Sequence, residues 1–350
     1  MFERIAPEQH DTLEGVPEPS ENPGLVGHRD ASARLARAHA GNKLPHALLL
    51  TGTAGIGKAT LAFHLAHHLL KFPSNSTAPD ELAIPDPASS LFRQVAIGAH
   101  PAVLHLTRPA NEKTKGFKTA VTVEEIRRVN RFLSLTSHDG AYRVVIVDPA
   151  DDMNTNAANA LLKNLEEPPS RTVFVLISHS PGALLPTIRS RCQNVRMTPL
   201  DTDDLVEALA AVGSPAPQDA ASRQALRERS GGSVRAAILL TQHGGLEIAE
   251  ATERVARSRK LDVAVAHRLA DAVSGRDKAM QFDFFNRHAL DMLADAASAA
   301  ALSGNRALAD RLSEGWHESR IAIGETEAYN LDRKQHALNM IVRLQDTFRM

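Results

Sequence analysis

The sequence predicts an α/β domain built on a parallel sheet with helices on both faces, followed by an all-helical C-terminal half. Three observations predict it. A short apolar run feeds a glycine-rich phosphate-loop pattern, Gly52 to Thr60. Up to about residue 200, strand-like apolar runs alternate with amphipathic helical segments, as in a sheet covered on both faces. Beyond that point only helical periodicity is present. The chain has 350 residues, 43% hydrophobic and 23% charged. That length suits two or three domains, and the composition excludes a disordered, collagen-like or disulfide-stapled chain.

Taken in order, residues 1–20 are polar and hold three prolines, Pro7, Pro17 and Pro19, which predicts a flexible tail. A helical pattern starts at Ala31, with Leu35 and Ala38 on one face. His46 to Gly52 reads as a buried strand, and Leu61 to Leu70 as the helix after the glycine turn. Phe72 to Ser90 is rich in Pro, Ser and Asp and reads as a loop. A second strand is expected at Ala102 to Leu106. An amphipathic helix is expected over Val123 to Leu133, with Ile126, Val129, Asn130 and Leu133 on one stripe. Arg143 to Asp148 is an apolar run ending in a carboxylate, typical of a strand buried on both faces. Ala157 to Leu165 is a helix that Pro168 and Pro169 end. Thr172 to Ser178 and Val195 to Met197 are further strands. Asp201 to Val212 is a helix with Asp201 or Thr202 as its N-cap. Farther on, Phe282, Phe285, Ala289 and Met292 form one apolar stripe, and Ala337, Leu338, Ile341 and Leu344 another.

Lys and Arg total 40 against 41 Asp and Glu, for a net charge of −1. A chain that grips nucleic acid with its whole surface is usually strongly basic, so any DNA contact here is expected to be local or shared with partners. The single cysteine, Cys192, allows neither an internal disulfide nor a thiolate zinc site. The N-terminus lacks an apolar signal core, and no apolar run reaches the ~18 residues of a membrane span. A reducing, cytoplasmic setting is expected.

The glycine-rich segment GTAGIGKAT has Gly52, Gly55, Gly57 and Lys58 in the Walker A spacing. Glycines let backbone N–H groups turn inward, a helix N-terminus adds partial positive charge, and lysine reaches the outer phosphates. The next residue should carry a hydroxyl for Mg²⁺, but it is Ala59. Thr60 lies one residue later, about 100° round the helix. Asp148 takes the Walker B position, yet the residue that should be a catalytic glutamate is Pro149, which cannot orient an attacking water. Asp151 and Asp152 read as carboxylates at a helix start. Two catalytic parts are therefore missing, which predicts impaired ATP hydrolysis.

The run from Asn154 to Ser178, NTNAANALLKNLEEPPSRTVFVLIS, then LLPTIRSRCQ (Leu184 to Gln193) and GGSVRAA (Gly231 to Ala237), resembles the clamp-loader branch of the AAA+ ATPases. Asn330-Leu-Asp-Arg-Lys extends the resemblance toward the C-terminus. It implies an AAA+ P-loop domain over 21–199, a helical lid over 200–248 and a helical collar over 249–350. It implies a subunit of the bacterial replicative DNA polymerase III holoenzyme, without polymerase activity of its own. The partners would be delta and tau or gamma subunits in a five-membered ring, the sliding clamp, and primed DNA reached through the assembly, with no membrane. Arg191 would be an arginine finger acting in trans. Ser178 or His179 would lie near sensor 1, and Arg235 would be the sensor-2 arginine. With Gly52, Gly55, Gly57, Lys58, Thr60 and Asp148, Ser178 and Arg235 make up the expected nucleotide site. ATP or ADP is the implied ligand, held weakly if at all, with Mg²⁺ only alongside it. Relatives often carry a four-cysteine zinc module after Walker A, but Phe72 to Ser90 has no cysteine, so no zinc is expected.

The rival readings are an active P-loop ATPase motor, against which Ala59 and Pro149 stand, and a P-loop phosphotransferase, against which the helical C-terminal half stands. His64, His67 and His68 have metal-compatible spacing but no further ligand, and read as surface histidines. Cys192 reads as a packed thiol. Lys113, Lys115 and Lys118 flank Phe117 and read as an exposed loop. Arg127, Arg128 and Arg131 read as the solvated face of a helix. Phe282, Phe285 and Trp316 read as core or ring-contact residues.

Overall fold

A computed structural model describes residues 4–111, 116–134, 141–242, 244–275 and 277–349. Five parallel strands form one sheet: β1 (Ala47–Thr51), β2 (Val103–Leu106), β3 (Arg143–Val147), β4 (Thr172–Ser178) and β5 (Gln193–Arg196). Their order is β2-β3-β4-β1-β5. In register, Thr51 lies beside Ser178 on one side and Arg196 on the other. The period of two explains why the strands read as unbroken apolar runs. Leu48, Leu50, Val144, Ile146, Val173, Val175 and Ile177 face one core, while Ala47, Leu49, Val145, Val147, Phe174 and Leu176 face the other.

Helices α1 (Arg29–Ala40), α2 (Lys58–Lys71) and α3 (Ser90–Ala96) contribute Leu35, Leu61, Leu65, Leu69 and Val95 to the first core. Helices α4 (Val123–Ser134), α5 (Thr155–Glu166) and the single turn α6 (Pro186–Arg189) contribute Ile126, Val129, Leu161, Leu165 and Ile188 to the second. The sequence periodicity did not predict α3. Ser89 starts it by accepting the Phe92 N–H at 3.1 Å. Asn154 caps α5 in the same way, from the Ala157 N–H at 2.9 Å. Asn130 departs from its expected stripe: it is exposed and accepts a hydrogen bond from Asn164 at 3.0 Å.

Two expectations are corrected here. The stretch 1–20 is not a loose tail from Arg4 onward. The Arg4 guanidinium binds the carbonyls of Leu13 and Val16 at 2.8 and 2.7 Å and pairs with Glu18. The Glu21 carboxylate accepts the N–H groups of Ile5, Ala6 and Glu18 at 2.6, 2.9 and 2.8 Å. Ala6, Leu13, Glu18 and Glu21 are buried. A polar composition hid this because the partners are carbonyls and amides, which leave no hydrophobic pattern. Nor are His64, His67 and His68 surface residues. Helix α2 is buried nearly all round, and His68 is 0% exposed. The 72–90 segment folds back over the helix, and the Ala83 N–H donates to His68 Nδ1 at 3.2 Å. His39 and His68 stack edge to face, with ring centroids 5.1 Å apart, and Tyr142 closes on His39 at 5.2 Å. Burial pulls His67 and His68 down to about 4.

Helices α7 (Thr202–Ala211), α8 (Ala220–Ser230) and α9 (Val234–Gln242) follow. Asp201 is the N-cap of α7, accepting the Asp204 N–H at 2.9 Å. The chain divides into two compact units at Ala237/Ile238, inside α9. The first unit thus holds α7, α8 and the start of α9.

The second unit completes α9 and adds α10 (Gly245–Ala256), α11 (Val263–Ser274), α12 (Ala279–Leu302), α13 (Arg306–Tyr329) and α14 (Arg333–Phe348). Phe282, Phe285, Ala289, Ala337, Ile341 and Leu344 are buried in it as the stripes require. Trp316 is half-buried, with the Arg320 guanidinium 5.7 Å from its ring centre. A buried polar link fixes three of these helices. His336 reaches Asn286 Oδ1 at 2.9 Å and Thr326 Oγ1 at 2.8 Å, and burial pulls it down to about 4. The Asn330-Leu-Asp-Arg-Lys motif is a helix stop and restart. Asn330 ends α13 in the left-handed region, at φ 50°, and Asp332 caps α14 through the Gln335 N–H at 2.7 Å. Among the described residues no helix is long and apolar enough to cross a membrane.

Candidate functional site

The phosphate loop leaves the C-terminal end of β1, in the interior of the sheet, where open α/β sheets bind ligands. Gly52, Gly55 and Gly57 have φ values of 150°, 75° and 99°, which only glycine adopts without strain. A Cβ on Gly52 would meet the Met197 carbonyl at 2.5 Å, and one on Gly55 would meet Ser233 and Arg235, both at 2.5 Å. The lysine is in place at the start of α2, but it is only 3% exposed. Its amine donates to the carbonyls of Gly52 and Thr53 at 2.7 and 2.5 Å. Ala59 packs toward the core and Thr60 is buried in α2. The His28 ring N–H donates to the Ile56 carbonyl at 2.6 Å and braces the loop from outside.

GGSVR brings Arg235 to this loop. Gly231 and Gly232 turn the chain at φ 58° and 70°. Ser233 then starts α9 by accepting the Ala236 N–H at 3.2 Å, and the Val234 N–H donates to the Gly55 carbonyl at 3.0 Å. Arg235, widely separated from the glycines in sequence, thus packs on them. Its guanidinium donates to the Asp11 carbonyl and lies 3.8 Å from the Asp11 carboxylate.

Asp148 sits at the end of β3. Burial, with Asp11, Asp152 and Glu18 adding negative charge, pushes its carboxyl up to about 7, while Lys58 pulls the other way. Asp151 and Asp152 share a 3-10 turn, 150–152, but their side chains reach well beyond it. Asp151 accepts from the Ser178 hydroxyl at 2.7 Å and from the His179 and Ser180 N–H groups at 2.5 and 3.1 Å. It therefore ties the end of β3 to the end of β4 and occupies the expected sensor-1 hydroxyl. Asp152 is held by Arg108 through two bonds of 2.5 and 2.9 Å.

Arg191 lies at the opposite end of the strands, two residues before β5. Its guanidinium pairs with Glu166 at 2.5 Å and donates to the Thr187 carbonyl at 3.0 Å. About a third of its side chain, 34%, stays in solvent. Burial pushes the adjacent Cys192 thiol up to about 11, which makes it a packed thiol rather than a nucleophile. Phe117 faces the His10 ring at 6.4 Å. Lys118 is exposed, while Lys113 and Lys115 lie outside the described residues. Arg127, Arg128 and Arg131 are exposed. Among the described residues no group of three or more His, Cys, Asp or Glu could hold a metal ion.

The structure thus gathers Gly52, Gly55, Gly57, Lys58, Asp148, Ser178 and Arg235 at one end of the sheet and sets Arg191 apart. In this arrangement the residues do not fit a magnesium nucleotide. The lysine is bound to its own loop, the metal hydroxyl is missing, and the carboxyl that should face the metal is pushed toward neutrality. Sequence reasoning missed Gln9, His10, Asp11 and Arg108, which crowd the same strand ends. No local motif marks them.

The family model for the DNA polymerase III delta subunit matches residues 27–201. DNA polymerase III subunit delta prime of Pseudomonas aeruginosa is 37% identical over 242 residues, 69% of each chain. The Bacillus subtilis subunit of the same name is 34% identical over 168 residues, 48% of this chain and 46% of that one. DNA polymerase III subunit gamma of Buchnera aphidicola is 25% identical over 221 residues, 63% of this chain and 57% of that one. The chain belongs to the DNA polymerase III delta-prime family.

Proposed function

We propose that this clamp-loader subunit serves its ring as a scaffold and arginine donor and does not hydrolyse ATP itself. Its partners are delta and tau or gamma subunits in a five-membered ring that places a sliding clamp on primed DNA in the bacterial cytoplasm. Residues 200–248 act as a lid and 249–350 as a collar. One contrast carries the reading. Ala59 and Pro149 remove the metal hydroxyl and the water-orienting base from this chain's own site, while Arg191 stays partly exposed at another edge. A guanidinium offered to a neighbour's phosphates stabilises the charge that develops there. The net charge of −1 suits a subunit whose DNA contact is shared around a ring.

The test is Arg191→Ala in a reconstituted loader. Steady-state ATPase in the presence of clamp and primed DNA should fall sharply, while assembly by size exclusion stays intact. A loader with unchanged ATPase would overturn the arginine-donor role. Hydrolysis by the isolated wild-type chain would instead support an active motor subunit.

A further inference from the structure

We infer that residues 9–18 are the resident occupant of the phosphate-loop cleft, an internal peptide ligand that nucleotide would have to displace. This rests on the reading of the site as one that does not hydrolyse ATP, and it adds why nucleotide is kept out. The segment is a closed loop with its own anchors. At its root Glu21 gathers three N–H groups and Arg4 grips two carbonyls and Glu18. From there its tip lands on the strand ends. Gln9 Oε1 accepts from the Thr107 hydroxyl at 2.7 Å, just past β2. His10 Nε2 is 4.0 Å from Asp152, just past β3, and its ring meets Phe117. The Asp11 carbonyl and carboxylate both face Arg235, the residue that packs against Gly55.

Asp11 therefore brings negative charge to the arginine that packs on the glycines of the phosphate loop. A phosphate entering the cleft would compete with it for the same guanidinium. It would also need Lys58 to leave the Gly52 and Thr53 carbonyls. Apparent affinity for a ligand falls in proportion to the fraction of molecules in the competent state. A segment closed nine-tenths of the time thus weakens nucleotide binding about tenfold.

The test uses the full chain and a fluorescent ATP analogue titrated with and without Mg²⁺, alongside hydrogen–deuterium exchange of residues 4–21. Glu21→Ala and Arg4→Ala cut the anchors from outside the cleft. Each should speed exchange in the segment and tighten analogue binding by about tenfold or more. Adding Lys58→Ala to Glu21→Ala should abolish the gain. Asp11 is about half-exposed, with 52% of its side chain in solvent, so Asp11→Ala leaves the buried anchors in place. It should tighten binding several-fold without faster exchange at residues 4–8. Release of the segment with no gain in affinity would overturn the inference. So would Asp11→Ala binding no better than wild type, or a segment that stays protected in both anchor variants. ATP hydrolysis by the wild-type chain, measured in parallel, bears on the scaffold reading alone, since the affinity comparison stands without it.

Discussion

At the phosphate-loop cleft the charged groups are engaged by their own chain. Lys58 is held by two loop carbonyls, Arg235 by Asp11, and Asp152 by Arg108. At the opposite end of the same strands Arg191 also has a partner, Glu166, but the pair stays in solvent, with side chains 34% and 47% exposed. The difference lies in desolvation. The cleft groups are buried and hydrogen-bonded, so each is costly to free. An exposed ion pair contributes ~0–1 kcal/mol and exchanges partners readily. The charged groups of the cleft are bound to their own chain. The exposed arginine keeps the freedom that a neighbouring subunit could use.

The largest expected effect breaks this comparison at the Arg191 end. Arg191→Lys keeps the charge but loses the planar fork that meets phosphate oxygens in pairs. In the assembled loader it should behave like Arg191→Ala, with hydrolysis at the neighbouring site reduced on the order of 10³-fold. Single-turnover ATPase of the reconstituted complex reads it. Activity near wild type would show that only a positive charge is needed there.

Acid should act instead on the buried histidines near the C-terminal end of α2, where His68 stacks on His39 and His39 on Tyr142, just before β3. His67 and His68, on the helix that follows the phosphate loop, are buried and pulled down to about 4. The unfolded chain takes up protons at these residues near pH 6.5 and the folded chain does not, so stability rises with pH across that interval. Their contribution is complete above about pH 6.5 and is lost as pH falls toward 4, by up to about 3 kcal/mol for each histidine. Urea unfolding at pH 7 and pH 5 measures it. His68→Phe should flatten the pH dependence, and an unchanged slope would place the acid sensitivity elsewhere.

The same contrast explains what could be read from the sequence. The strands were legible because both faces of the sheet are buried, so β3 and β4 appear as unbroken apolar runs. The phosphate loop was legible because its glycines are needed at positive φ. Arg191 and Arg235 stand out only through the resemblance, since a lone arginine carries no local signal. The N-terminal loop was illegible for a physical reason. Its contact with Arg235 spans 224 residues, and its anchors are a guanidinium and a carboxylate bound to backbone groups, which a polar, proline-bearing composition does not reveal. The histidines were misplaced because helix periodicity reports one buried face, and the returning 72–90 segment buries the other. Asp151 reads as a helix-start carboxylate in sequence because its partners, Ser178 to Ser180, belong to the next strand and its exit.

The smallest expected effect separates holding an arginine from supplying one. Glu166→Gln removes the charge that pairs with Arg191 but leaves a side chain that still accepts a hydrogen bond. With both partners partly in water, stability should change by less than ~1 kcal/mol in thermal unfolding. If Glu166 only parks the arginine until a neighbour arrives, the loader's kcat should stay within about threefold of wild type, since each tenfold in rate takes about 1.4 kcal/mol. KM for ATP should not move, because no ground-state contact to nucleotide is lost. A fall in kcat close to that of Arg191→Ala, at unchanged KM, would mean that the carboxylate aims the guanidinium in the transition state. The exposed edge would then be as preorganised as the cleft, and freedom of the arginine could no longer account for the division of labour between them.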